Sequence, residues 1–211
     1  MNYFFDLDGT LADTDRDIRE AWRAALDEMG IVCENFERDF VAGPPIEVMA
    51  EKLFPGRYTP QLGLELKRRF GVHYDQDGFP NTKEYPGVLE RVKELKKPCN
   101  QVFIATNKRY AGAKKMAEKF GWNRIFDGIY ASDMYAEDPA VGKLTKTGLL
   151  GKILADRGLF AAESVMIGDT SSDFIAAKET GMKSIGVAWG YGTAEELAMA
   201  DIVVNDMKEI S

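Results

Sequence analysis

The sequence predicts an α/β fold, in which a doubly wound, mainly parallel sheet carries an inserted all-helical domain. Three observations support this prediction. Short apolar, β-branched or aromatic runs recur along the chain, and helical patterns lie between most of them. The first two runs are separated by far more chain than a parallel crossover needs. With 211 residues, 45% hydrophobic and 29% charged, the chain is long enough for one core domain and one smaller domain.

Six apolar runs are the candidate strands. They cover residues 3–5, 102–105, 128–131, 165–167, 184–188 and 202–204. Two of the intervening helical patterns close with Gly121 and Gly181, and glycine suits the left-handed residue that ends a helix. We therefore expect a Rossmann-like sheet wrapped by helices.

The insertion lies between the first two candidate strands, where 96 residues separate Asp6 from Val102. Thr14 and Asp17 are candidate caps for a first helix there. Its apolar stripe is formed by Ile18, Ala21, Trp22, Ala25, Leu26 and Met29, and further helices are predicted at 46–54 and 62–70. We predict a helical cap domain at residues 14–82 and a core domain at residues 1–13 and 83–211. The polar, Gly- and Pro-bearing stretch 75–87 suits a hinge.

Composition limits the partners. A net charge of -7 argues against the broad basic surface that nucleic acid or an anionic membrane requires. Cys33 and Cys99 lack metal-ligand spacing, which favours a reducing compartment. His73 is interpreted as a structural residue. The sequence shows no signal-peptide pattern and no run of about 18 apolar residues. We expect a cytoplasmic protein that binds neither nucleic acid nor membrane, and the sequence indicates no oligomeric state.

Four polar segments follow predicted strands or begin a helix. They are residues 6–10, Thr106 with Asn107, Lys146, and residues 168–173. Because ligands of a doubly wound sheet bind outside the carboxyl ends of its strands, these segments are expected to form one site.

Asp6 and Asp8 carry the predicted chemistry. A carboxylate is a competent nucleophile for phosphoryl transfer, and a second carboxyl can protonate the leaving oxygen and then deprotonate water. We assign Asp6 the first role and Asp8 the second. The alternative is an ordinary Asp-Gly turn after an apolar strand.

Asp169 and Asp173 add two further carboxylates. Four such groups gather at neutral pH only with raised pKa values or with a bound cation, and Mg²⁺ prefers oxygen ligands of this kind. The predicted ligands are Asp6, Asp169, the backbone carbonyl of Asp8 and, in or just outside that shell, Asp173. For Asp169 the alternative is a helix cap.

Thr106, Asn107 and Lys146 are the candidate donors to the phosphoryl oxygens. A polar strand end is the alternative for Thr106 and Asn107. A solvated helix face is the alternative for Lys146, because Lys143 and Lys152 are near neighbours in the sequence.

Taken in this order, the four segments resemble the motifs of the haloacid dehalogenase-like superfamily along nearly the whole chain. Residues 6–11, Asp-Leu-Asp-Gly-Thr-Leu, match its first motif, residues 102–107 its second and residues 168–173 its fourth. The lysine motif of the family is often Lys-Pro, whereas this chain has Lys146-Thr147-Gly148, which leaves Lys143 as the alternative. The apolar helix after Lys146 has the family spacing and favours Lys146.

The insertion resembles the helical cap of the branch that includes phosphoglycolate phosphatase, phosphomutases and some 5'-nucleotidases. Residues 43–45, 106–108 and 186–192 look like the phosphoglycolate phosphatase-type group. The resemblance implies a Mg²⁺-dependent phosphatase of a small phosphorylated metabolite, such as phosphoglycolate or a nucleoside monophosphate. From the presence of a cap we further predict that it closes over the site, with Gly43 and its flanking loop, and Lys108, as contacts to the substrate body or phosphate.

Four other functions are weighed against this one. A phosphomutase or a pyrophosphatase would retain the same core. A haloacid dehalogenase attacks carbon and needs no acid/base at the position of Asp8, so Asp8 argues against it. A phosphate-binding module without catalysis is disfavoured because every proposed catalytic position carries a competent side chain.

Overall fold

Strands and helices alternate along the chain, which divides into two units. The structure, a computed structural model, describes residues 1–44, 46–76, 78–138 and 142–211. The first unit consists of Met1–Asp13 and Glu84–Ser211, and the second of Thr14–Lys83. The second unit ends one residue beyond the predicted insertion, 14–82.

The strands are β1 (Asn2–Phe5), β2 (Ala12–Asp13), β3 (Lys83–Glu84), β4 (Gln101–Thr106), β5 (Gly128–Ala131), β6 (Ser164–Gly168), β7 (Lys183–Val187) and β8 (Ile202–Val204). The α-helices are α1 (Asp15–Glu28), α2 (Phe36–Asp39), α3 (Ile46–Leu53), α4 (Pro60–Gln76), α5 (Val88–Leu95), α6 (Tyr110–Phe120), α7 (Lys146–Arg157), α8 (Ser171–Thr180) and α9 (Ala194–Leu197). Among the described residues, no helix combines the length and the apolar character needed to cross a membrane.

In the described part of the chain, six strands form one parallel sheet in the order β5-β4-β1-β6-β7-β8. These are the six predicted strands, so the predicted α/β sheet is confirmed. β2 and β3 form a separate two-stranded sheet.

β1 lies between β4 and β6, with Phe5 in register with Ile104 on one side and with Ile167 on the other. The chain runs outward from β1 to β4 and β5, and then returns to the other side of β1 with β6. The strand order therefore reverses beside β1, which is the position where doubly wound sheets bind ligands.

The apolar residues of β1 fix the sheet between two helical layers. Successive strand side chains point to opposite faces. Phe4 packs on Phe103, with ring centroids 5.1 Å apart, in a cluster that includes Leu149 of α7. Phe5 packs edge-on against Phe126 on the opposite face, with centroids 5.9 Å apart. The end of β1 is thus held rigidly from both faces.

Two predicted helix ends are confirmed, whereas one helix of the core was not predicted. Gly121 and Gly181 end α6 and α8 in the left-handed conformation, as predicted, with φ of 73° and 78°. The helix α5 was not predicted.

The second unit packs α1 against α4 around Trp22, whose ring centroid lies 5.5 Å from that of Phe40 and 6.3 Å from that of Phe70. Thr14 occupies the predicted N-cap position of α1, but its side chain makes no capping hydrogen bond. The prediction that Asp17 caps this helix is wrong.

The buried Asp17 carboxylate instead accepts hydrogen bonds from the far end of the same unit. The donors are Asn81 Nδ2 at 2.8 Å, Thr82 N at 2.7 Å and Thr82 Oγ1 at 2.5 Å, with Asn81 N at 3.1 Å. Asp17 therefore ties the first turn of the inserted segment to its last residues.

Candidate active site

Asp6 follows β1 at the point where the strand order reverses. Its backbone N–H donates to the carbonyl of Ile167 at 2.8 Å, which extends the pairing with β6 by one residue. The chain then turns sharply, since Leu11 N donates back to Leu7 O at 2.9 Å and Gly9 has a φ of 79°. This turn directs the two carboxylates of the first motif away from the strand.

Lys146 is the first residue of α7, and the side chain of Thr145 caps this helix by accepting from Gly148 N. The Lys146 ammonium is buried and donates to Asp6 Oδ1 and to the carbonyl of Ala105, at 2.7 Å each. It also lies 3.0 Å from Oδ1 of Asp173. Lys143, the alternative lysine, is exposed.

Asp169 and Asp173 follow β6 and begin α8. Asp173 forms a reciprocal capping box with Thr170, whose N and Oγ1 donate to Asp173 Oδ2 at 3.2 and 3.1 Å. The helix α8 is thus capped by Thr170 and Asp173, and not by Asp169. The Asp169 carboxylate is fully buried and accepts from Thr10 Oγ1 at 3.3 Å and from Tyr191 N at 2.7 Å.

Asp6, Asp169 and Asp173 form a group whose ligand oxygens all lie within 4.8 Å of one another. Within the described ranges, Asp173 Oδ1 is buried and accepts no hydrogen bond of regular geometry, although the Lys146 ammonium is near it. A hard cation that prefers oxygen ligands fits this donor set. One lysine cannot compensate three clustered carboxylates, of which Asp169 and Asp173 are buried, so a divalent cation is electrostatically favourable here.

The acid–base properties of the group reflect this crowding. Burial raises the pKa of Asp169 to about 8, and the neighbouring carboxylates of Asp173 and Asp6 add to the rise. Burial also raises the pKa of Asp6 to about 6, against the opposing effect of Lys146. Burial would lower the pKa of Lys146, but its two carboxylate neighbours outweigh that effect and raise it.

The Asp8 carboxylate lies apart from this group and pairs with Lys108. The Lys108 ammonium lies 2.9 Å from Asp8 Oδ1 and 3.2 Å from Oδ2. The backbone N–H of Lys108 donates to the buried Thr106 Oγ1 at 3.1 Å. Lys108 therefore contacts two predicted site residues.

The other predicted contacts differ in their surroundings. Asn107 is exposed at the end of β4, and its Nδ2 donates to Ser172 Oγ at 3.3 Å. Ser132 supports the same loop, because its N–H donates to Thr106 O at 3.1 Å. Gly43 belongs to the second unit, where it is exposed with a φ of 112°, and its predicted contact to substrate stays a prediction.

Sequence reasoning missed the roles of Thr10 and of the segment 189–192. Thr10 donates to Asp169, and Trp189 Nε1 donates to the carbonyl of Thr10 at 3.2 Å. The signal was present in the sequence as two glycines flanking Tyr191, but such a pattern is also typical of an ordinary loop.

Comparison with known proteins identifies the family to which the chain belongs. The family model described as haloacid dehalogenase-like hydrolase matches residues 3–187. The chain belongs to this family. Residues 3–187 include all four segments that form the site, and the predicted family is thereby confirmed.

Relatives of this haloacid dehalogenase-like hydrolase agree along nearly its whole length. The "Probable phosphatase IndB" of Dickeya dadantii is 31% identical over 98% of this chain and 90% of its own length. A phosphoglycolate phosphatase of Agrobacterium fabrum is 29% identical over 98% of this chain and 89% of its own. A crystal structure titled as a predicted phosphatase from Clostridium acetobutylicum has a TM-score of 0.87 at 25% identity, covering 99% of this chain and 95% of that one.

These similarities confirm the predicted phosphoglycolate phosphatase-like branch and the predicted class of enzyme. The haloacid dehalogenase-like hydrolase is a phosphatase.

Proposed function

We propose that this phosphatase hydrolyses a small phosphomonoester with Mg²⁺ as its cofactor, through a phosphorylated Asp6. One observation carries the proposal. Asp6 Oδ1 lies 2.7 Å from the buried Lys146 ammonium, and Asp6 groups with two further carboxylates, all within 4.8 Å. This combination of nucleophile, fixed positive charge and cation ligands is what phosphoryl transfer requires.

In the proposed mechanism, an Asp6 carboxylate oxygen attacks phosphorus and the ester oxygen leaves. Asp8 donates a proton to that leaving oxygen and then accepts one from the water that hydrolyses the aspartyl-phosphate. Lys108, 2.9 Å from Asp8, is positioned to influence this proton transfer. Both steps balance, since the alcohol leaves with the proton of Asp8 and inorganic phosphate leaves with the oxygen of water.

Charge compensation comes from the protein and from the cation. Asp6, Asp169 and Asp173 would hold Mg²⁺, together with the proposed carbonyl of Asp8. The ion supplies charge stabilisation for the phosphoryl oxygens and neutralises the carboxylates. Lys146 holds Asp6 and Asp173 in place. Thr106 and Asn107 lie at the end of the adjacent strand and are the proposed hydrogen-bond donors to the phosphoryl oxygens.

The proposed substrate class is a small phosphorylated metabolite, either phosphoglycolate-like or a nucleoside monophosphate. A relative of 29% identity is named phosphoglycolate phosphatase, which supports the first choice. Phosphomutase and pyrophosphatase activities would use the same core residues, so they belong in the same experiment.

The test is phosphate release from a panel of phosphomonoesters and pyrophosphate, with Mg²⁺ or with EDTA. The parent chain is compared with Asp6→Asn and with Asp156→Asn, a matched control at an exposed carboxylate on α7. We expect Mg²⁺-dependent release by the parent and the control, and a loss of about 10⁴-fold or more in Asp6→Asn. Unchanged turnover in Asp6→Asn, or an isomerised sugar phosphate without free phosphate, would overturn the proposal.

A further inference from the structure

The segment Trp189–Gly192 takes no part in the chemistry proposed above, yet it encloses Asp169. The backbone N–H of Tyr191 donates to Asp169 Oδ2 at 2.7 Å. The other oxygen, Oδ1, accepts from Thr10 Oγ1 at 3.3 Å. Protein donors thus fix both oxygens of a carboxylate that is fully buried.

The two glycines of this segment leave space for Asp169. A Cβ on Gly190 would lie well under 3.0 Å from the Asp169 side chain, and one on Gly192 would lie well under 3.0 Å from its backbone carbonyl. Side-chain carbons do not approach other atoms so closely in proteins. Any larger residue at either position must therefore displace Asp169 or the segment itself.

The segment is also anchored to the chain that follows the nucleophile. Trp189 Nε1 donates to the carbonyl of Thr10 at 3.2 Å, and the Tyr191 hydroxyl donates to Asp13 Oδ1 at 3.0 Å. Both acceptors belong to the first unit. The same four residues thus contact Asp169 and the turn after Asp6, so they fix these two regions relative to each other.

We propose that Trp189–Gly192 is a positioning segment that sets the direction of the Asp169 carboxylate toward Asp6 and Asp173. This inference rests on the proposed function only in taking the three carboxylates as cation ligands. Mg²⁺ demands near-ideal ligand geometry, and residues that orient a ligand typically change metal affinity by about 10–100-fold when they are altered. The segment would thereby determine how tightly the site holds its cation.

The experiment measures Mn²⁺ binding to the full chain by electron paramagnetic resonance, without substrate. Gly192→Ala is compared with Gly151→Ala, a matched change in α7, where nothing lies within 4 Å of the added Cβ. We expect Gly192→Ala to bind Mn²⁺ at least about tenfold more weakly than the control, with the same circular dichroism spectrum. Equal Mn²⁺ affinity in the two variants would overturn the proposal.

A second variant decides the question if Gly192→Ala does not fold. Trp189→Phe keeps an aromatic ring but removes the hydrogen bond to Thr10, and we expect its Mn²⁺ affinity to fall by about threefold or more. Parent-like affinity in a folded Trp189→Phe would contradict the positioning role. A parent chain that binds Mn²⁺ but releases no phosphate would refute the proposed function alone, whereas one that binds no Mn²⁺ would refute both.

Discussion

The Lys108 ammonium lies 2.9 Å from Oδ1 of Asp8, and both side chains are largely buried, with 5% and 18% of their surfaces exposed. The Lys108 ammonium thereby holds the carboxylate of Asp8, the proposed acid/base, in one orientation. We expect Lys108→Ala to lower kcat/KM by about 10–100-fold, because Asp8 loses its charged partner in a partly desolvated position. Steady-state phosphate release measures the effect. The control is Lys114→Ala, which removes an exposed lysine of α6, and equal kinetics in the two variants would argue against a role for Lys108.

Asp8→Asn separates the two proposed steps. If Asp8 activates the water that cleaves the aspartyl-phosphate, its amide cannot do so, and turnover should fall by about 10²–10⁴-fold. With an activated phosphoester whose leaving group needs no acid, phosphorylated Asp6 should accumulate and be detectable by intact-protein mass spectrometry after an acid quench. Rapid turnover without a trapped phosphoprotein would assign the proton transfers elsewhere.

Lys146→Met tests the buried positive charge. Removing this ammonium leaves the Asp6 and Asp173 carboxylates uncompensated, and breaking a buried pair costs about 3–5 kcal/mol. We expect a decrease of that order in the free energy of unfolding, measured with urea in EDTA, together with loss of phosphate release. Lys143→Met changes an exposed lysine three residues earlier and should match the parent. Similar stability in both variants would show that Lys146 is not the compensating charge.

The raised pKa of Asp169 predicts a pH dependence of stability. The folded protein holds a proton on this carboxyl up to about pH 8, whereas the unfolded chain releases it near its ordinary value of 3.8. The resulting stabilisation is complete below the lower value and disappears as the pH rises to the higher one. Without metal, we therefore expect Tm to fall as the pH rises from about 4 to about 8. In Asp169→Asn the slope should be smaller, while Asp156→Asn should keep the slope of the parent.

Mg²⁺ should reverse this trend, because a cation binds the ionised carboxylates and competes with protons. The increase in Tm on adding Mg²⁺ should be larger at pH 8 than at pH 5. A shift that is independent of pH, or equally large in Asp169→Asn, would count against Asp169 as a ligand.

Much of the fold could be predicted because its signals are local. The runs that became β1 and β6 are apolar and end in charged turns, and Gly121 and Gly181 mark helix ends by their own conformational preference. The helix α5 was missed because it directly follows the polar stretch 75–87, which was interpreted only as a hinge. Its amphipathic pattern spans only eight residues, which is too few for periodicity alone to distinguish a helix from a loop.

The site was partly predictable for the same reason. Asp6 and Asp169 directly follow strands, and Asp8 lies two residues after Asp6, so the parallel topology alone brings their segments to one edge of the sheet. The pairing of Asp8 with Lys108 and the enclosure of Asp169 by residues 189–192 depend on contacts across 100 and 22 positions of the chain. The role of Asp17 depends likewise on residues 64 and 65 positions away. No local pattern encodes such partners.

Asp17→Ala tests that last contact. The carboxylate accepts four hydrogen bonds of 3.1 Å or less, from both the backbone and the side chains of Asn81 and Thr82. Its removal leaves buried donors unsatisfied, so we expect a loss of about 2–3 kcal/mol in unfolding free energy. Urea unfolding measures the change, and Asp27→Ala, at an exposed position of the same helix, is the control. Equal effects of the two substitutions would mean that the contact is not stabilising.

The contact made by Asp17 has an evolutionary consequence. It joins the two ends of a segment of some seventy residues, from Thr14 to Lys83, so that the inserted helices form a closed cassette. A cassette with adjoining ends can be lengthened, shortened or exchanged between genes while the strand that carries Asp6 keeps its neighbours. Such an exchange would leave Asp6, Asp169 and Asp173 untouched, since all three lie outside the segment from Thr14 to Lys83.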